Sequence, residues 1–511
     1  MADATHSIQH SAPQVLTATP AREVAHDDNA RLVSDVLPLR LKLAYGVGAS
    51  CESVKTFAFG LFLLFYYTSV LGLPGTLVGV ATALGLVWDS AIDPLIGFAS
   101  DRARWRLGRR HGLMLVGGLG MGTSFFAIFS PPATLSGATL FGWLLVTSLC
   151  LRTSNSLFMV PYYALGAELS QDYHERTTIS AFRAGCALFG TLLAAGASFG
   201  LFFPGGQPGQ SDRGSQFDPS GYVAMGVAFG LFMTAAALVT TAGTWSKRSQ
   251  SQTDDRRGDR EPFRFFAAFI TSMNDRAFRI LVTSAGLFFL ATVINASLAV
   301  HYLTYYAAVP SSGSFSMFFV AFYIGALLGV PSWTRMSKRV DKHRVYCVAM
   351  LVTGIIMAAA YWLVGEGRLL GTGNVVALSL GNALAGYFAS ALWVIVPSMI
   401  ADVTEQDELT TGRRREGTFF GIYSFTQQAA AGVAILATGV LVDAFAALVP
   451  GQVAQSPATI NRLALLFSQL PASLLIAASL MILPYGLTRQ RVAAVKQELA
   501  RRVRRTRPTT A

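Results

Sequence analysis

Two carboxylates, Asp89 and Asp93, stand four residues apart in an apolar run that extends from Gly79 to Gly97. That spacing puts both on one face of a helix. The flanking residues are those of a membrane-spanning helix, where a carboxylate is costly and by default marks an ion or proton path. The pair can hold one cation, Na+ or H+, or share one proton. Pro94 follows at once, and proline frees the backbone carbonyl one turn earlier, a further oxygen for a cation. The structural alternative is a buried acidic pair that balances a neighbouring cation, with Lys55 the candidate.

Other residues are placed to serve such a site. Ser156, in the stretch from Arg152 to Tyr163, offers a hydroxyl to a cation shell, or else bonds back to its own helix. Arg183 is a cation near the middle of a span, suited to pairing with a solute or to a gating salt bridge. Glu52 and Lys55, at i and i+3, form a mutual salt bridge facing a cavity or bind solute. Trp393, Tyr162 and Tyr163 supply rings that stack a sugar or simply pack. Asn295 matches a glycosylation sequon but lies inside a span, and His301 reads as a polar cavity or packing residue.

The elements that must position these groups are apolar and long. Of 511 residues, 52% are hydrophobic and 13% charged, against about a quarter charged in soluble proteins. Twelve apolar segments follow one another, at roughly 43–71, 75–100, 112–131, 137–166, 178–203, 220–244, 276–308, 313–336, 345–365, 372–400, 417–447 and 460–487. Several exceed the ~20 residues that cross a bilayer. The expected fold is therefore an all-α membrane protein of twelve transmembrane helices.

Charge then sets organisation. The net charge of +12 invites a nucleic-acid reading, but the basic residues collect in alternate loops rather than in a folded basic module. That alternation follows the positive-inside rule and predicts that both termini are cytoplasmic. Residues 1–38 read as a disordered N-tail without the apolar core of a signal peptide. Residues 39–244 and 276–487 form two six-helix bundles, joined by a polar cytoplasmic linker at 245–275 and followed by a basic tail at 488–511. The tail reads as a helix drawn to anionic lipid. The loops from Asp101 to Arg110 and from Ser337 to Lys342 match in the two halves, as expected of bundles that rock about a midplane site. Asp101, Arg109 and Asp341 are the latch residues they suggest. The four cysteines show neither metal spacing nor a disulfide framework. No GxxxxGK[ST] loop and no nucleophile–base constellation is present, so neither an ATPase nor another enzyme is indicated.

Further signals carry a resemblance. They are Trp88-Asp89 with Asp93-Pro94, Val160-Pro161-Tyr162, Glu175-Arg176-Thr177, Ala401-Asp402-Val403 and the run Arg415-Glu416-Gly417 to Gly421. In this order, over residues ~40–490, the chain resembles the glycoside–pentoside–hexuronide:cation symporters of the major facilitator superfamily (melibiose permease-like). The resemblance implies that Asp89 and Asp93 are cation-site carboxylates, that Ser156 is a cation-binding hydroxyl, and that Arg183 and Trp393 lie at the sugar. The chain also departs from the pattern. Ser53 and Met159 stand where the family has sugar-binding aspartates, Gln428 where it has a lysine on the eleventh helix, and Ile92 where it has an asparagine between the acids.

The expectation is a multi-pass inner-membrane transporter that acts as a monomer, needs no cofactor beyond its coupling ion, and takes up a sugar or glycoside by symport. A lipid or amphiphile carrier is the alternative, because the family's relatives include one. Export of a drug or metabolite comes third, and a non-transporting solute sensor on the same fold belongs to a different class.

Overall fold

The computed structural model describes residues 37–102, 110–170, 172–203, 215–247, 269, 271–310, 313–412 and 415–506. Arg109, the N-tail to residue 36 and most of the 245–275 linker lie outside them. Among the described residues, twelve helices are long and apolar enough to cross a membrane, and no strand is present.

In the first half these are α1 (Leu39–Phe65), α2 (Gly75–Arg102), α3 (His111–Phe129), α4 (Gly137–Glu168), α5 (Tyr173–Phe202) and α6 (Pro219–Gly243). In the second they are α7 (Arg276–His301), α8 (Gly313–Ser337), α9 (Lys342–Leu363), α10 (Val375–Thr411), α11 (Glu416–Ala444) and α12 (Pro457–Met481). A thirteenth helix, α13 (Arg489–Thr506), carries the basic tail.

The two halves repeat in detail. α1 and α7 each end in a π-turn, Tyr66–Val70 and Tyr302–Tyr306. In the first, Leu71 N–H donates to the Tyr66 carbonyl and Leu73 N–H to that of Tyr67. In the second, Ala307 donates to Tyr302 and Val309 to Leu303 in the same pattern.

α10 corrects one boundary. Its apolar run stops near residue 400, yet the helix continues to Thr411, where Gly412 caps it at φ 70°. Hydropathy falls where a helix leaves hydrocarbon, not where it ends. The extension is held by Lys342 on Asp402 at 2.5 Å and Arg415 on Asp407 at 2.5 Å. α13 lies on this extension, with Lys496 3.4 Å from Glu405 and Arg502 donating to the Leu409 carbonyl.

Between the halves, contacts gather at the end far from the termini. There α2 packs on α11, α5 on α8 and α1 on α7. A Cβ on Gly439 would collide with the Gly75 carbonyl, so glycine is required for α2 and α11 to touch. Asp443 of α11 accepts from the N–H groups of Gly75 (2.9 Å) and Thr76 (2.7 Å), capping α2 from the opposite half. His301, fully buried, meets the Thr68 hydroxyl at 3.2 Å. Toward the termini, the ion pairs among the described residues stay inside one half: Lys42–Glu175 and Arg110–Glu168 in the first, Lys342–Asp402 and Arg415–Asp407 in the second. Among the described residues, the polar and glycine-mediated contacts of Asp443, His301 and Gly439 between the halves thus lie at the far end.

Candidate functional site

Asp89 and Asp93 share the face of α2 that packs against α4. Leu86 fits beneath Gly432 of α11, so Asp89 lies about one helical turn beyond a contact between the halves. Arg152 of α4 crosses to α2 and donates Nη1 to Oδ2 of Asp89. The crossing depends on Gly85, because a Cβ there would collide with Nε of Arg152. The neighbouring Trp88 indole donates to the Thr153 hydroxyl at 2.9 Å, tying the two helices on the other side of the pair.

The second carboxylate has different company. Asp93 interacts with the Ser156 hydroxyl and feels the charges of Asp89, Lys55 and Glu52. Lys55 does not balance Asp89. Its ammonium lies 3.0 Å from both oxygens of Glu52, which also accept from Thr56 and Asn155. Arg152 therefore fills the role that the sequence suggested for Lys55.

One carboxylate oxygen is left over. Oδ1 of Asp89 is buried without a hydrogen-bond partner, and so is Oδ1 of Asn155. Buried polar atoms of this kind are rare and call for an explanation. The orphaned Asp89 oxygen, a second carboxylate near it and the Ser156 hydroxyl are hard donors of the kind that suits Na+ or H+. Asn155 was not singled out in the sequence, although it adjoins Ser156.

Arg183 of α5 forms a separate cluster. It lies 5.2 Å from the centroid of the Tyr163 ring and hydrogen-bonds Tyr45. Among the described residues it makes no ion pair. Tyr45 stacks on Tyr162 at 4.5 Å, and Phe158 covers the other side of Tyr162 at 5.6 Å. Tyr162 is fully buried and donates to the Tyr45 carbonyl, so its ring has no face for a solute. Tyr163 and Trp393 are each about half exposed, and Trp393 meets Phe322 edge-on. Ser53 bonds back to Ala49, and Gln428 is exposed. Asp341 pairs with Arg344 of its own helix and accepts from the Arg489 N–H, both within the second half. Asp101 is the last residue but one of α2, next to the stretch that lies outside the described residues.

The model for the family described as MFS/sugar transport protein matches residues 44–489, nearly the whole chain. The chain belongs to that family. Among its relatives is a symporter of Synechocystis, sll1374, 25% identical over 92% of this chain and 98% of its own. The sodium-dependent lysophosphatidylcholine symporter 1 of Gallus gallus is also 25% identical, over 90% of this chain and 88% of its own. Of the solved structures, a point mutant of the nucleoside transporter NupG aligns over 87% of this chain and 99% of its own, with a TM-score of 0.60 at 12% identity. That likeness shows the fold. By its family, the protein is a transporter of the MFS type.

Proposed function

We propose that this transporter is a symporter, in which a cation held by Asp89, Asp93 and Ser156 drives uptake of an organic solute by alternating access. The observation that carries this reading is the unpartnered, buried Oδ1 of Asp89 beside Asp93. Arg152 holds the other oxygen, acting as a tethered cation until a mobile one arrives. Binding of the mobile cation then favours the arrangement that binds solute, and by linkage each ligand raises the other's affinity by the same factor. The two halves rock about this midplane site and release both together. The side of the termini, rich in basic loops, is the cytoplasmic side in this reading.

The solute we favour is an amphiphile with an acidic head, read by Arg183 and the open ring of Tyr163. A sugar needs several convergent polar groups, and here Glu52 is held by Lys55 while Ser53 is bonded to its own helix. The symporter of Gallus gallus, named for lysophosphatidylcholine, supports the same direction. Glycosides remain the second reading, supported by the family description and by the exposed ring of Trp393.

Uptake into vesicles tests both. Labelled lysolipids and labelled glycosides are offered under an inward Na+ or H+ gradient. Lysolipid uptake that needs the gradient supports the first reading, and glycoside uptake supports the second. Uptake that ignores both gradients contradicts symport.

A further inference from the structure

A cleft of about 280 Å³ opens in the second half, away from the Asp89 site, among α7, α8, α9, α10 and α12. Its walls include Ile356, Leu363, Leu378, Leu384 and Phe467. Three polar residues in the wall each direct a donor to a backbone carbonyl. Asn295 donates to the Phe467 carbonyl, Asn382 to that of Phe318, and Tyr302 to that of Ala360. The surface left to the cleft is mostly hydrocarbon. An aliphatic cavity of about 150 Å³ stays dry and takes one benzene, so this one has room for a longer chain. Leu363 and Leu384 are both part of the wall and partly exposed on spanning helices, so the mouth faces the bilayer.

A cation stands beside the mouth. The turn that joins α9 to α10 is folded tightly, with Gly365, Gly367, Gly371 and Gly373 all at positive φ. Leu370 N–H donates to the Leu363 carbonyl, and both residues belong to the cleft. Arg368 projects from this turn over the rings of Tyr361 (5.3 Å) and Trp362 (5.4 Å). Trp362 is exposed at the end of a spanning helix, the level of a headgroup belt. Among the described residues Arg368 has no ion-pair partner.

We propose that this cleft and Arg368 form a phospholipid site, with an acyl chain between α9 and α10 and the headgroup phosphate on the Arg368 guanidinium. Guanidinium and phosphate match in charge and in hydrogen-bond geometry. The bilayer is the one source of both the chain and the phosphate at that level. The site lies outside the cation path and does not rest on the symport reading.

Gly381 provides the test. It lines the cleft, and a Cβ there would meet nothing within 4 Å, so Gly381→Phe fills the space without a clash at its base. The purified full chain, in detergent with equimolar phosphatidylglycerol and phosphatidylcholine, is examined by native mass spectrometry. Wild type is expected to retain one phosphatidylglycerol in preference to phosphatidylcholine. Gly381→Phe is expected to lower retention about tenfold, the worth of one buried apolar side chain. Arg368→Gln is expected to keep a lipid but lose the headgroup preference. Circular dichroism confirms each variant's fold, and Leu384→Trp replaces Gly381→Phe if the latter unfolds. Absence of lipid from wild type, equal retention by the filled variant, or an unchanged preference in Arg368→Gln would overturn the proposal.

Discussion

Arg152 and Asp89 form an ion pair between α4 and α2 that uses only one oxygen of the carboxylate. Both side chains are largely buried. Removing one partner of such a pair leaves an uncompensated charge and costs about 3–5 kcal/mol. Asp89→Asn is therefore expected to lower thermal stability markedly, and the double variant Asp89→Asn with Arg152→Met to recover most of the loss. Thermal unfolding of the single and double variants in one detergent measures this. Equal melting of wild type and Asp89→Asn would mean that the pair contributes nothing.

In the proposed symport, the same pair is expected to govern cation affinity. With Arg152→Gln the tethered competitor is gone, and Na+ binding is expected to tighten by about tenfold, roughly 1.4 kcal/mol. Gly85→Val should act in the same direction, because its side chain would occupy the place of the arginine stem. Titration of both variants with Na+ gives the answer. Weaker binding in Arg152→Gln would instead make the arginine an organiser of the site.

The far-side seal depends on a charge at a helix end. Asp443 caps α2 across the halves, and its replacement by Asn removes the charge–dipole part of that contact. The expected loss is about 1 kcal/mol, roughly a fivefold shift toward the arrangement open on that side. Gly439→Leu should go further and prevent closure, since even a Cβ would strike the Gly75 carbonyl. Distances between spin labels at the ends of α1 and α7 report the shift, and labels that stay put in both variants would refute it.

Arg183 is expected to act on the solute and not on the cation. Arg183→Gln should raise KM by about tenfold or more, the worth of a hydrogen bond to a charged group, with Na+ affinity unchanged. Lysine should not substitute well, because it lacks the planar face that lies over Tyr163. Uptake kinetics with each variant check this, and an unchanged KM would remove Arg183 from the solute site.

The helices were legible in the sequence because lipid demands long apolar runs, and the runs were long. The extension of α10 was not, because helical hydrogen bonding continues in water once Lys342 and Arg415 neutralise its acids. Asp89 and Asp93 stood out as charges within a span. Arg152 carried the same signal, one turn before Ser156 and so on its face of α4, but its partner was a matter of tertiary packing. Only the closeness of α2 to α4, allowed by Gly85, selects Arg152 over Lys55. The internal repeat does not carry the acidic pair into the second half. At the offset that carries Pro161 onto Pro397, Asp89 and Asp93 fall on Gly325 and Gly329. There the two glycines let α8 press against the α10 backbone, leaving no space for a cation. Tyr162 shows the converse limit, since a ring in a motif reads alike whether it faces a cavity or, as here, is sealed between two others.

Direct titration of the purified wild-type chain with Na+, beside Asp93→Asn, tests the cation site most plainly. The Trp88 indole, bonded to Thr153 next to Asp89, supplies a fluorescence signal, and calorimetry an independent one. Saturable Na+ binding in wild type is expected, with competition by protons and loss in Asp93→Asn while the fold is retained. Equal binding by both proteins, or binding of neither Na+ nor H+ by wild type, would contradict a cation site at Asp89 and Asp93.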